Sequence, residues 1–202
     1  MELDPKTIPW RERYRIMTGS IVPRPIGWIS SISAAGIHNI APFSFFNAAC
    51  AAPPLVTFAP MRDSDTGNKK DTLQNIEATG EFVVNIVTEP LLEAMDRTGE
   101  DFAPEIDEFA AVGLTPIAST MVKPPRIAEA PIHFECRLVQ VLHFGDGAAG
   151  SGSLVIGEIV HIHVDDAMLE GGRVLAERFH PVARMGGPNY ARPDVIAYER
   201  KF

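Results

Sequence analysis

The sequence predicts a mainly β chain: a closed or partly closed antiparallel barrel with helices packed outside it. Three observations carry this. Short apolar segments recur along the whole chain, punctuated by 17 prolines and 16 glycines. Two long alternating segments in the last third flank a glycine-rich loop, the pattern of an antiparallel hairpin. Two helical segments interrupt the strands, but they do not alternate with them as a βαβ array requires.

Residues 25–33, with Ile26-Gly27-Trp28-Ile29-Ser30-Ser31-Ile32 at their centre, read as the first strand, and Ala34-Ala35-Gly36 as a turn. Residues 39–47 resume in extended form, Pro53-Pro54 breaks them, and 55–59 form another apolar strand. Asp71 stands where a helix N-cap is expected, ahead of Leu73 and Ile76 on one face, and Gly80 stops that helix. Residues 82–87, Phe-Val-Val-Asn-Ile-Val, are a strong strand. Thr88 then caps a second helix over 91–97, with Pro90 near its first turn. An acidic stretch follows, with a short helix at 106–111. Residues 132–144 and 153–164 are the arms of the hairpin, where Phe134, Cys136 and Leu138 alternate with Glu135 and Arg137 around the 145–152 loop.

The composition bounds the partners. The 202 residues suit one domain, 1–202, with an N-terminal extension over 1–19 and a C-terminal tail over 191–202. A net charge of −8 argues against nucleic acid and against an anionic membrane surface. The N-terminus lacks a signal-type apolar core and no apolar run is long enough to cross a bilayer, so a cytoplasmic location is expected. The two cysteines, Cys50 and Cys136, lie in apolar surroundings and read as buried free thiols. No G-x-G-x-x-G follows the first strand, which disfavours a dinucleotide-binding α/β fold.

Four clusters carry candidate chemistry. Asn39, Ala41, Pro42, Ser44 and Asn47 interrupt an apolar strand with short polar side chains, which suit the edge of a flat heterocycle. The same run is equally a barrel strand with turn residues at its ends. Lys70 and Thr72 stand at a helix start, where free amides and a partial positive charge favour a phosphate. A surface helix with solvated lysines fits as well. Arg184, Gly186, Gly187 and Tyr190 offer close backbone approach, a cation and a ring, or a turn in a tail. Arg24, between Pro23 and Pro25, projects either to an anion or into a structural entry turn.

The ordered motifs PRPIGWISSIS, NIAPFSFFNAA, PPLVTF, KKDTLQNIEATGEFVVNIV and RMGGPNY resemble those of the flavin-reductase-like, FMN-binding split-barrel family, which includes the flavoredoxins. The resemblance spans about residues 20–190. It implies a six-stranded antiparallel split barrel with flanking helices, a homodimer, and FMN in a groove near the dimer interface, FAD being possible. Asn39, Ala41, Pro42, Ser44, Asn47 and the backbone of Ser30 and Ser31 would then hold the ring. Lys70 and Thr72 would hold the phosphate, with Arg24 as helper, and Gly186, Gly187 and Tyr190 would close over the flavin. Trp28 or Phe45 would shield one flavin face. The implied activity is that of an oxidoreductase passing electrons from NAD(P)H through FMN to a flavin or protein acceptor, such as a partner monooxygenase. No catalytic side chain is then required, because the cofactor carries the chemistry.

Two rivals remain at this level. The chain is alternatively an FMN-binding electron carrier or sensor without turnover of its own. It is also readable as a metal-dependent enzyme, because His161, His163 and Asp165 fall on one strand face, with His143 or His180 as a further ligand.

Overall fold

A computed structural model describes residues 2–194 and 196, so Met1 and most of the end of the tail, residues 195 and 197–202, lie outside the described residues. Seven strands form one antiparallel sheet: β1 Gly27–Ile32, β2 His38–Phe43, β3 Phe46–Ala51, β4 Pro54–Phe58, β5 Glu81–Ile86, β6 Ile132–Phe144 and β7 Gly152–Val164. Their order across the sheet is β2-β1-β5-β6-β7-β4-β3.

This order explains why the main sheet has seven strands where six were expected. The segment 39–47, read as one strand, is bent at Ser44–Phe45 into β2 and β3. These two lie at opposite ends of the sheet order, yet only two residues join them. The sheet therefore curls until its edges meet at a seam, and Phe45 is pinned there by its carbonyl accepting from the Ala59 amide at 2.8 Å. Bulges help the curl. Val160 of β7 and Val139 of β6 are each skipped in the pairing of the long hairpin, and an extra residue bends a strand and raises its twist.

The strands bury both faces where helices cover them. Trp28 and Ile29, neighbours on β1, point to opposite sides and are both fully buried. Ile29 joins Phe58, Phe82, Val84 and Val155 in one core, with Leu73 and Ile76 of the following helix, and Trp28 joins Ile40, Met95, Phe109 and Ile127 in another. Gly157 is required by this packing: a Cβ there would lie 2.3 Å from Cζ of Phe82.

Five α-helices flank the sheet: α1 Trp10–Ser20, α2 Asp71–Thr79, α3 Leu92–Arg97, α4 Glu108–Val112 and α5 Ala176–Phe179. The helix α1 lies largely within the N-terminal extension expected over 1–19. Only Thr18 of it is buried, although Trp10, Tyr14 and Met17 fall at helical spacing. In α2 the cap is Lys70, one residue before the expected Asp71, and Gly80 terminates it in the left-handed conformation at φ 72°. The second helix divides into a 3₁₀ turn, Glu89–Leu91, followed by α3, and the Thr88 side chain makes no cap bond. Cys136 is buried as expected, but Cys50 is exposed, because it lies on the edge strand β3 whose residues 47–51 are all exposed. No helix among the described residues is long and apolar enough to cross a membrane.

Candidate functional site

The seam where β2 meets β3 carries a cleft of about 560 Å³. Its floor is Pro42, Phe43, Ser44 and Phe45. One wall is α1, which presents Trp10, Arg11, Tyr14 and Arg15, two aromatics and two guanidiniums each spaced one helical turn apart. The opposite wall is the loop after β4 together with Lys70 at the start of α2. Two smaller cavities adjoin it, one of about 110 Å³ towards Asn39 and Glu108 and one of about 450 Å³ towards Arg184 and Tyr190, and Pro42 lines all three.

The sequence-predicted residues separate into three groups. Ala41, Pro42 and Ser44 line these cavities, as does Phe45. Tyr190 lines the 450 Å³ cavity, where its hydroxyl donates to Asp96 at 2.5 Å and Arg184 lies 4.5 Å over its ring. Burial, with the Asp96 hydrogen bond, raises its pKa to about 12. Gly186 approaches α1 closely, since a Cβ would meet Gly19 Cα at 3.3 Å, and Gly187 turns the chain at φ 63°.

A second group, Asn39, Lys70 and Thr72, also lines the 110 Å³ cavity, with its polar groups already engaged by protein partners. The Asn39 side chain is fully engaged: Oδ1 accepts from Ser31 Oγ at 3.0 Å and Thr72 Oγ1 at 2.8 Å, and Nδ2 donates to Glu108 at 2.7 Å. Thr72 is 1% exposed, and its hydroxyl donates to Asn39 at the lining of the 110 Å³ cavity. Lys70 lines the cleft, but its ammonium donates to Asp101 at 2.5 Å and lies 3.5 Å from Asp63. Burial opposes that charge, yet the Asp101 bond and the two carboxylates outweigh it and raise the lysine pKa.

A third group is placed elsewhere. Arg24 is buried and binds protein: Nη1 donates to the carbonyls of Thr18 and Ile21 at 2.6 and 2.7 Å, and Nη2 to Met185 at 3.1 Å. Its Nε donates to Ser44 Oγ at 3.2 Å, so it braces the seam from beneath instead of facing a phosphate. Ser30 and Ser31 are fully buried on the inner strand β1, whose backbone is paired along the β2 side over both residues and along the β5 side at Ser30. Asn47 is exposed on β3, outside the cleft. Trp28 is a core residue, its Nε1 donating to Thr98 Oγ1 at 2.9 Å. The glycine-rich loop packs on the end of α1, where a Cβ on Gly150 would lie 2.8 Å from Trp10 Cγ.

His161 and His163 lie together, their ring centroids 4.6 Å apart, but among the described residues no third ligand of the metal reading joins them. His163 Nε2 donates to the Glu135 carboxylate at 2.6 Å, His143 meets Ser153 and Glu77, and Asp165 caps a turn by accepting from the Ala167 amide. Among the described residues no group of three His, Cys, Asp or Glu side chains is placed to hold a metal ion.

Three features escaped the sequence. The α1 face and Arg62 line the cleft, and a helical reading of the Trp10/Tyr14 and Arg11/Arg15 spacings would have found the former. Glu108 is the third: it is 6% exposed, and burial raises its pKa to about 7 against the hydrogen bonds from Ile40 and Asn39.

Known proteins share this fold. The crystal structure of nitrilotriacetate monooxygenase component B from Bacillus cereus matches with a TM-score of 0.93 at 34% identity, over 98% of each chain. That of the Pseudomonas fluorescens 2-nitrobenzoate 2-nitroreductase NbaA matches with a TM-score of 0.87 at 35% identity, over 100% of this chain and 98% of that one. A protein of Aquifex aeolicus (strain VF5) is 44% identical over 180 residues, 89% of either chain. The model of the Flavin reductase like domain matches residues 18–181, and with the curled antiparallel sheet and its flanking helices this places the chain in the flavin reductase like family.

Proposed function

We propose that this chain is a single-domain, cytoplasmic FMN-dependent oxidoreductase that takes electrons from NAD(P)H and delivers them to a flavin or protein acceptor. The observation that carries the reading is the cleft at the seam, with an aromatic and proline floor and a cationic rim on a chain whose net charge is −8. The residues present fit a flavin mononucleotide. Phe45, Trp10 and Tyr14 offer ring faces for a flat tricycle, and Ser44 offers a hydroxyl for its polar edge. Four cations line the cleft against two carboxylates, which suits a phosphate tail.

When bound, FMN supplies hydride acceptance from a nicotinamide and electron delivery to an acceptor. Pro42, Phe43, Ser44 and Phe45 would hold the ring, and the cationic rim would set a positive field around a group that gains negative charge on reduction. Arg24 keeps Ser44 in place from below. A partner monooxygenase is a fitting acceptor, because the Bacillus cereus relative is itself a monooxygenase component. The reading includes a homodimer, supported by β3, an edge strand whose outer ladder is unpaired and whose residues 47–51 are exposed.

Anaerobic absorption spectroscopy with added FMN tests the proposal. A perturbed flavin spectrum that bleaches on adding NADH or NADPH is expected. A bound flavin that neither coenzyme bleaches would leave an electron carrier, and a chain that binds no flavin would end the reading.

A further inference from the structure

The four cations of the cleft are not equivalent. Lys70 is held by Asp101 at 2.5 Å and Asp63 at 3.5 Å. Arg11 donates to the Ser64 carbonyl at 3.3 Å and lies 3.8 Å from Asp65. Arg15 and Arg62 make no ion pair or side-chain hydrogen bond among the described residues. The base of Arg62 is nonetheless fixed, because its amide donates to Ser151 at 2.9 Å and the neighbouring Met61 bridges to Gly152. Arg15 stands on α1, one turn from Arg11 and beside Tyr14. Two guanidiniums, free of carboxylates and lining one cleft, carry the charge that a phosphate monoester dianion needs, and the guanidinium fork matches phosphate oxygens bidentately.

We propose that Arg15 and Arg62 together form the phosphate-monoester grip of the cleft, while Lys70 and Thr72 serve the fold of the loop and of β2. The consequence is selection of a phosphorylated ligand over its unphosphorylated counterpart. The flavin form of this inference rests on the reading of the cleft as a flavin site. The same chemistry is presented by the 5′-phosphate of FMN and by the 2′-phosphate of NADPH, and the test separates them.

Fluorescence titration gives the affinities of wild-type protein, Arg15→Ala, Arg62→Ala, the double variant and Lys70→Ala for FMN and for riboflavin. Calorimetry gives the same proteins' affinities for NADPH and NADH, with no flavin present. A fall of about tenfold or more per arginine in FMN affinity, with riboflavin unchanged, assigns the grip to the flavin phosphate. The same fall for NADPH but not NADH assigns it to the coenzyme. Arginine variants that keep both preferences, or a Lys70→Ala variant that alone loses the FMN preference, overturn the proposal. A wild-type protein that binds neither FMN nor riboflavin ends the flavin reading instead, and the coenzyme titrations then decide the arginine pair by themselves. Lysine replacements, Arg15→Lys and Arg62→Lys, guard against misfolding: partial recovery of the preference is expected, since charge returns without the fork.

Discussion

The carboxylate of Glu108 accepts the Ile40 amide at 2.6 Å and so caps the open edge of strand β2 beside the cleft. Its other oxygen holds Asn39, which in turn ties Ser31 and Thr72, so one side chain of the short helix α4 fixes the strand that carries the floor. Asp107, the residue before it, meets His38 on the same strand at 3.0 Å.

This cap gives the fold a pH dependence whose sign follows from its cause. Burial first, then the neighbouring carboxylates of Asp71 and Asp107, raise the Glu108 pKa from 4.5 to about 7 against the bonds from Ile40 and Asn39. A folded pKa above the unfolded one means that the native state binds the extra proton. The stability from this group is therefore complete below pH 4.5 and is lost as pH rises to about 7, by up to roughly 3 kcal/mol. Glu108→Gln removes that slope. Urea unfolding at pH 5 and pH 8 checks it, and a variant with the wild-type difference between the two would refute the assignment.

Trp28 and Phe45, the two candidates for shielding a flavin face, differ in position: Trp28 is buried in the core and Phe45 lines the cleft. Trp28→Ala is expected to cost about 3–5 kcal/mol of stability, since the indole is fully buried and bonded to Thr98. Phe45→Ala costs little stability and weakens FMN binding about two- to tenfold through the lost ring contact. Denaturant melts and flavin titrations of both variants measure the division, and a reversal of the two effects contradicts it.

Much of this was legible in the sequence because it rests on local pattern. The hairpin 132–144 and 152–164 alternates, Gly80 ends a helix, and Pro53-Pro54 breaks a strand. The seam was not legible, because Ser44–Phe45 lies inside a run of strand-forming residues and its bend is imposed by where β2 and β3 find partners. The burial of Glu135, fully inside yet alternating as if outward, has the same origin. It accepts the amides of Thr120 and Met121, 15 and 14 residues away, and meets His163. The site was half legible for a related reason. Ala41 and Pro42 sit on β2 and Ser44 on the bend after it, whereas Arg11 and Arg15 of α1 and Arg62 of a distant loop join them only through the tertiary fold.

Gly157 offers a test of the curl itself. Adding a methyl group places a Cβ 2.3 Å from the Phe82 ring, so Gly157→Ala is expected to destabilise by about 1–3 kcal/mol. The loss should shrink when Phe82→Leu is added, because the shorter side chain vacates the contested space. A double-mutant cycle in urea reads the coupling, and strictly additive effects would show that the two positions do not meet.

The two thiols report on the proposed dimer. Cys136 is fully buried, which pushes its pKa well above the ordinary thiol value, so it should stay unreactive until the chain unfolds. Cys50 is exposed on β3 and should react readily with a thiol reagent when the protein is dilute. If a second copy covers the β3 face, that reaction slows as protein concentration rises, with a midpoint matching the dimer dissociation seen by sedimentation. A Cys50 rate independent of concentration, in a protein that sediments as a dimer, would move the interface away from β3. The exposed Val139, Phe144 and Ile162 on the long hairpin would then be the next surface to probe with charged substitutions.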